Sequence, residues 1–325
     1  MMTFETTNPN PEQRDASVMA WRVHNFGSPE AMKFESVPKP VPDPGEVLIK
    51  VKAAGVGPWD GWIRAGKSAL PQPLPLTLGS DLSGDVVSIG ASVAGLAVGD
   101  PVYGVTNPRF IGAYAQYAVA SAEMVARKPA TISYADAASI PVIAVTAWQG
   151  LFDQAQLVAG QKVLIHGAAG NVGAYAVQLA RRAGIEIIAT AARKDFPYLR
   201  ELGTDILVDY HSERFEDVAR DVDAVLDLVG GETQRRSFQV LRRGGKLVSA
   251  VSPPEQDLAS QHGVEAAFFL VSVGTEQLTK IAELIDNGAL KTRVGTILPL
   301  EEAYEAHLML DGVRRAPGGK IVLSV

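Results

Sequence analysis

His166-Gly167-Ala168-Ala169-Gly170-Asn171-Val172-Gly173 stands between an apolar run, Lys162-Val163-Leu164-Ile165, and a helical pattern, Ala174-Tyr175-Ala176-Val177-Gln178-Leu179-Ala180-Arg181. Strand, glycine-rich turn and helix, in that order, is the setting in which a dinucleotide fingerprint has physical meaning. Free amides at a helix start hold a pyrophosphate, and the helix dipole favours its charge. On this reading Ala169, Gly170, Asn171 and Val172 face the pyrophosphate through their amides. Gly170 lets the backbone approach the ligand, and Gly173 lets the helix pack closely on the sheet. The motif departs from G-x-G-x-x-G at its first glycine, where Ala168 stands. Alone, the stretch also reads as a tight strand-to-helix turn. Glu186-Ile187-Ile188-Ala189-Thr190-Ala191 supplies a second strand, so a βαβ unit of about 30 residues carries the motif in its first turn.

That second strand also bears on which nucleotide is bound. NAD sites usually carry an acid about 20 residues after the first glycine, to hold the ribose 2′-hydroxyl. Here the region reads Ala189-Thr190-Ala191-Ala192-Arg193-Lys194, with no acid and two cations. A 2′-phosphate needs cationic donors. NADP(H) is therefore the expected cofactor, held by Arg193 and Lys194. The alternative is that these two residues begin a solvated helix.

Working outward, strand patterns recur at 163–166, 186–190, 206–208, 224–228, 246–251 and 266–272. Helical patterns lie between most of them, for example at 198–202 and 233–241. Such alternation predicts an α/β fold with a doubly wound parallel sheet. Residues 276–287 read as an amphipathic helix closed by Gly288. From 19 to about 128 the chain is rich in Gly and Pro and strand-like, as in the alternating Glu46-Val47-Leu48-Ile49-Lys50-Val51-Lys52. Several short strands at this spacing predict a small barrel-like or sandwich domain. Residues 320–325 read as a strand that returns to it. The expected division is a flexible tail at 1–16, a mostly-β catalytic domain from 17–136 and 274–325, and a nucleotide domain at 137–273.

The chain has 325 residues, of which 47% are hydrophobic, ample for a large core in two domains. Its formal charge of −6 argues against a nucleic-acid partner. No basic run invites an anionic membrane, and no apolar run is long enough to span one. Residues 1–16 lack the basic start and apolar segment of a signal peptide. With no cysteine, disulfides and thiolate-bound metal are excluded, which fits a cytoplasmic protein.

With this layout the chain resembles the medium-chain dehydrogenase/reductase superfamily, and within it the zinc-independent quinone oxidoreductase branch. The resemblance is carried by Val51-Lys52-Ala53-Ala54-Gly55-Val56-Gly57-Pro58-Trp59-Asp60, Leu78-Gly79-Ser80-Asp81-Leu82-Ser83-Gly84 and Gly99-Asp100-Pro101-Val102-Tyr103-Gly104. It continues through the nucleotide motif, Asp223-Ala224-Val225-Leu226-Asp227-Leu228-Val229-Gly230-Gly231 and Gly318-Gly319-Lys320-Ile321-Val322-Leu323. It implies a GroES-like catalytic domain built from both chain ends, a Rossmann domain between them, and an active site in the cleft they form. The positions that match the metal ligands of the zinc alcohol dehydrogenases are Gly57, Ser80 and Val142, none of them a zinc ligand. The five histidines lack ligand spacing. No metal is expected.

The resemblance further implies Tyr210 beside the 2′-phosphate, Thr146 near the nicotinamide, and Phe269 and Val271 on a last Rossmann strand that borders the ring. The simplest chemistry is then hydride transfer from NADPH to a quinone or conjugated enone, with the protein supplying orientation and electrostatic help. On the substrate side, Gly57 and Trp62 replace an Asn and a Tyr common in relatives. Trp59 and Trp62 offer flat apolar faces for an aromatic acceptor. Asp60 matches a recurrent acid, with a structural or cofactor-orienting role preferred over acid catalysis. Lys67 and Tyr114 are the candidates for protonating an enolate, alongside water. Quinone reduction, alkene reduction and a non-catalytic NADPH-binding sensor are the three functional readings. The apolar run Ala266-Ala267-Phe268-Phe269-Leu270-Val271 reads as an exposed sheet edge, which predicts a homodimer.

Overall fold

Residues 17–325 are described by a computed structural model, and the tail expected over 1–16 lies outside the described residues. The described chain divides into two units. One comprises residues up to Lys128 with Ser133–Ser139 and Val294–Val325; the other comprises Pro129–Ile132 and Ile140–Arg293.

The second unit is built on a six-stranded sheet. Its order runs Ile206–Asp209, Glu186–Ala191, Lys162–His166, Val222–Asp227, Leu241–Ser249, Glu265–Phe268. Every neighbouring pair is parallel. Val163, Leu164 and Ile165 are consecutive and all fully buried, the pattern of a strand covered on both faces. From Lys162–His166 the chain winds outward through two strands, then returns to Val222–Asp227 on the opposite side. The sheet therefore reverses direction at the end of the strand that precedes the glycine turn, which is where doubly wound sheets bind ligands. Helix Asn171–Arg182 buries Ala174, Tyr175, Val177 and Leu179, while Arg181 and Arg182 in its last turn complement the dipole.

Three expectations need correction. The last strand stops at Phe268 rather than 272, so Phe269 and Val271 lie past it, in the segment that leads to the next helix. Helix Gly231–Ser237 tightens into a 3₁₀ turn at Phe238–Val240, and the following strand begins at Leu241, earlier than 246. Residues 274–293 cluster with the nucleotide unit, not with the catalytic one. The reason is amphipathicity. Helix Thr275–Asp286 buries Leu278, Ile281, Ala282 and Ile285, and it packs on helix Pro141–Trp148. The Asp286 carboxylate accepts from the amides of Ala130 and Thr131, which ties 129–132 to the same unit.

In the first unit, Ser17–Val23 pairs with Met32–Pro38 and Leu76–Thr77. A seven-stranded sheet centres on Glu46–Val56, which pairs with Asp81–Ile89, Tyr117–Ser121 and Lys320–Ser324. The expected return of the C-terminal strand is thus met, antiparallel, with Ile321 opposite Val56. Val47, Ile49, Val51, Leu82, Tyr114 and Leu323 belong to its core. This mostly-β unit with the parallel-sheet unit gives the expected α/β class.

Candidate active site

The glycine turn shows why Ala168 is tolerated where a glycine is usual. Gly167 takes the left-handed conformation, φ +69°, so the turn is made one residue earlier and Ala168 needs no special backbone angle. Helix Asn171–Arg182 then starts from Gly170 without a side-chain cap, which leaves the amides of its first turn open. At Gly173 a Cβ would lie 2.4 Å from the Gly167 carbonyl oxygen and 2.6 Å from Ala168 Cα. The turn and the helix are in direct backbone contact there. Beneath the turn, the buried His166 ring is held at both nitrogens, 3.0 Å from Thr190 Oγ1 and 2.9 Å from Ser237 Oγ. Ser237 Oγ donates to the Thr233 carbonyl, so it accepts from His166 Nε2–H. Burial pushes this imidazole down to about 4, and it braces neighbouring elements as a neutral ring.

Arg193 and Lys194 open a short 3₁₀ turn, Arg193–Asp195, at the end of the second strand. Both are exposed, and Arg193 is 74% so. The expected solvated helix does begin here, at Phe196, but Arg193 is not unattached. Its Nε lies 3.5 Å from Asp209 Oδ2, at the end of the adjacent strand. Asp209 also accepts from the His211 amide and Ser212 Oγ. The first of these holds its carboxyl below the ordinary range, with Arg193 adding to the effect. A scan for an acid about 20 residues beyond the glycines missed it, because it arrives from the next strand. Tyr210 follows, 58% exposed, its ring 4.3 Å from that of His211.

The third group lies in the same unit. Thr146 is buried and its hydroxyl donates to the Val142 carbonyl at 2.6 Å, so it is spent inside the helix. Phe269 is buried, and its ring would meet a Cβ at Gly150 at 3.6 Å. Val271 is half-buried. Sequence reading passed over Gln149, whose side chain is bonded to the Ser272 backbone.

In the first unit the sequence candidates separate by burial. Asp60 and Tyr114 are fully buried and bonded to each other, the phenol donating to Asp60 Oδ2 at 3.0 Å. Gly57 N–H donates to the same oxygen at 2.8 Å. Burial pushes Asp60 up to about 7, against the pull of the Gly57 amide and Lys320. Burial and the neighbouring Asp60 charge push the Tyr114 phenol well up. Both side chains are spent on each other in the interior, which for Asp60 is the structural role preferred from the sequence and for Tyr114 leaves the phenol proton committed to Asp60. Lys67 is exposed in the turn after helix Pro58–Arg64.

Trp59 is also corrected. It is not an open platform: its indole lies over Gly57, where a Cβ would fall 2.3 Å from Cη2. Its Nε1 donates to Ser80 Oγ at 3.0 Å, and Lys320 Nζ stands 4.3 Å from the ring centroid. Lys320 is buried and paired with Asp81 at 3.0 Å. The indole thus fills the space between the two positions of this unit that match zinc ligands, and neither Gly57 nor Ser80 carries a ligand atom suited to zinc. Among the described residues no group of three or more His, Cys, Asp or Glu side chains converges to hold a metal ion. The residues do not fit one. Trp62, 53% exposed, keeps its free face.

Residues 202–323 match the zinc-binding dehydrogenase family model and residues 43–130 the alcohol dehydrogenase GroES-like domain. The chain is 34% identical over 324 residues to the 2-methylene-furan-3-one reductase of Solanum lycopersicum, covering 95% of this chain and 79% of that protein. The solved quinone oxidoreductase of Coxiella burnetii is 33% identical, with a TM-score of 0.88 over 95% of this chain and 99% of that one. A mycobacterial protein solved in complex with NADPH is 28% identical, with a TM-score of 0.82 over 95% of this chain and 100% of its own. Glycine turn, sheet order and these matches together define a pyridine-nucleotide oxidoreductase. The chain belongs to the medium-chain dehydrogenase/reductase superfamily, in its quinone oxidoreductase-like branch. Among the described residues no helix is long and apolar enough to cross a membrane.

Proposed function

We propose that the chain is a zinc-independent, NADPH-dependent reductase of quinones or similar conjugated carbonyl compounds. The observation that carries this reading is the pairing of an uncapped, glycine-cradled helix start with the Arg193–Asp209 pair at the ends of the two adjacent strands. Ala169, Gly170, Asn171 and Val172 bind the pyrophosphate through their amides. Arg193 and Lys194 hold the 2′-phosphate beside Tyr210. Asp209 already carries an arginine, so it orients a phosphate donor instead of receiving a ribose hydroxyl. When bound, the cofactor supplies a hydride to an electrophilic carbon. Thr146, Phe269 and Val271 shape the nicotinamide end. Trp62 gives the acceptor an apolar face, while Gly57 makes the room that the Trp59 indole occupies. Lys67 or water returns the proton to the reduced oxygen. The activity belongs in the cytoplasm, as the cysteine-free composition suggested.

The test is oxidation of NADPH, with NADH in parallel, against quinones and conjugated enones, with the products identified. Replacing Arg193 and Lys194 by Ala should raise the KM for NADPH by about tenfold or more and leave that for NADH unchanged, since each lost charge-assisted bond is worth about 1.5–3 kcal/mol. A wild-type preference for NADH overturns the cofactor assignment. The tomato relative, named as a reductase of an exocyclic alkene, favours a second reading in which an α,β-unsaturated ketone is saturated. A saturated product decides for it. Tight NADPH binding without turnover across the panel would make the chain a cofactor-binding sensor.

A homodimer is part of this proposal. Glu265–Phe268 is an edge strand, followed by Leu270 at 56% exposure. An edge of this kind is suited to pairing with its copy about a two-fold axis. The expected mass in solution at micromolar concentration is that of two chains, and a monomer mass overturns it.

A further inference from the structure

Gln149 begins a wide helical turn, Gln149–Gln154, in which Ala155 N–H reaches back to the Gly150 carbonyl at 3.1 Å. Its side chain is 8% exposed and grips a single residue in another part of the unit. Nε2 donates to the Ser272 carbonyl at 2.7 Å, and Ser272 N–H donates to Oε1 at 3.2 Å. These two bonds reproduce what a neighbouring strand would offer a peptide. They fall where the strand has run out. Phe269 N–H still donates to the Ser249 carbonyl at 3.1 Å, and no further ladder bond follows. One residue on from Gln149, Gly150 lies close against the sheet, where a Cβ would stand 2.8 Å from Leu226 Cδ1 and 3.6 Å from the Phe269 ring. The wide turn ends the helix that begins at Pro141 and carries the chain down towards strand Lys162–His166.

The sheet order says what this clamp faces. The phosphate-binding amides follow Lys162–His166, and the cations of the 2′-phosphate site follow Glu186–Ala191. A dinucleotide laid along the carboxyl edge therefore places its other half over the ends of Val222–Asp227, Leu241–Ser249 and Glu265–Phe268. There, among the described residues, the backbone N–H and C=O groups of Leu270 and Val271 have no hydrogen-bond partner. A carboxamide needs both an acceptor and a donor.

We propose that Gln149 is a positioning residue for the nicotinamide half of the cofactor. It holds the backbone of 270–272 in the form that receives the carboxamide-bearing ring. This rests on the NADPH reading above. The test compares wild type with Gln149→Leu and Gln149→Glu by calorimetric titration against NADPH and adenosine 2′,5′-bisphosphate, which lacks the nicotinamide. Thermal midpoints are read in parallel. Leu removes both bonds; Glu keeps the acceptor for Ser272 N–H and loses the donor. Gln149→Leu should weaken NADPH about tenfold, the order expected for two lost hydrogen bonds. The bisphosphate should bind as it does to wild type, and Glu should fall between. If both ligands weaken alike, or NADPH does not weaken, the role is overturned. Should the Leu variant not fold, the Glu variant decides on the same two ligands. A wild type that binds neither ligand removes the NADPH reading itself, and the positioning role with it.

Discussion

Gly173→Ala loses dinucleotide binding and a large part of its folded stability. The added methyl would lie 2.4, 2.6 and 2.7 Å from Gly167 O, Ala168 Cα and Ala168 O, all of them backbone atoms that no rotamer change can move. The helix must slide away from the turn, at about 1–3 kcal/mol or more for overpacking. It carries the amides of Asn171 and Val172 out of register with the phosphate oxygens. We expect a thermal midpoint lower by several degrees and NADPH affinity lower by about a hundredfold. Gly170→Ala is the control. There a Cβ meets only Gly167 O, at 3.1 Å, so the fold survives, and any loss of NADPH affinity reports the methyl's approach to the ligand and not a displaced helix. If calorimetry finds NADPH bound as tightly by Gly173→Ala as by wild type, this helix start is not the pyrophosphate site.

Asp60→Asn removes a pH dependence that the wild type carries in its fold. Burial raises the Asp60 carboxyl from 3.8 to about 7. The folded state therefore holds a proton that the unfolded chain has released across that interval. Where the folded state binds more protons, stability falls as pH rises. The wild type should accordingly lose stability relative to Asp60→Asn from about pH 4 to about pH 7, and no further above it. The slope approaches about 1.4 kcal/mol per pH unit at most. Urea unfolding of both proteins across this window gives the difference. A difference that is flat, or that grows in the wild type's favour with pH, sinks the assignment. Tyr114→Phe should move the upper end of the window higher, because the phenol now donates to the carboxylate and favours its charged form.

The parallel sheet was legible because its strands are covered on both faces and so read as unbroken apolar runs, Val163 to Ile165 above all. The helix at 276–287 was legible for the same kind of reason, yet its domain was misassigned. An amphipathic pattern says that a face will be buried, not against which neighbour. Glycine spacing located the tight turn into helix Asn171–Arg182, with Gly167 taking the left-handed role in place of Ala168. What the sequence hid were pairings across strands and between distant segments. Asp209 reaches Arg193 from the next strand, and Gln149 reaches Ser272 from a helix. Trp59 looked like an aromatic surface. Gly57, two residues before it, was the available signal that an indole folds back into the space a side chain would otherwise take.

The strand Lys320–Ser324 has a consequence for how the polypeptide comes to be. It completes the sheet centred on Glu46–Val56, and it brings the lysine that neutralises the interior Asp81. The whole nucleotide unit is translated between those partners. On the ribosome, Ile140–Arg293 emerges as a continuous stretch and has all its strands before the first unit has its last one. Domains generally fold as units during synthesis, the N-terminal one first. Here the segments of the first unit flank the nucleotide unit in the chain, so its sheet gains this strand, and Asp81 this lysine, only after every strand of the nucleotide unit has been made.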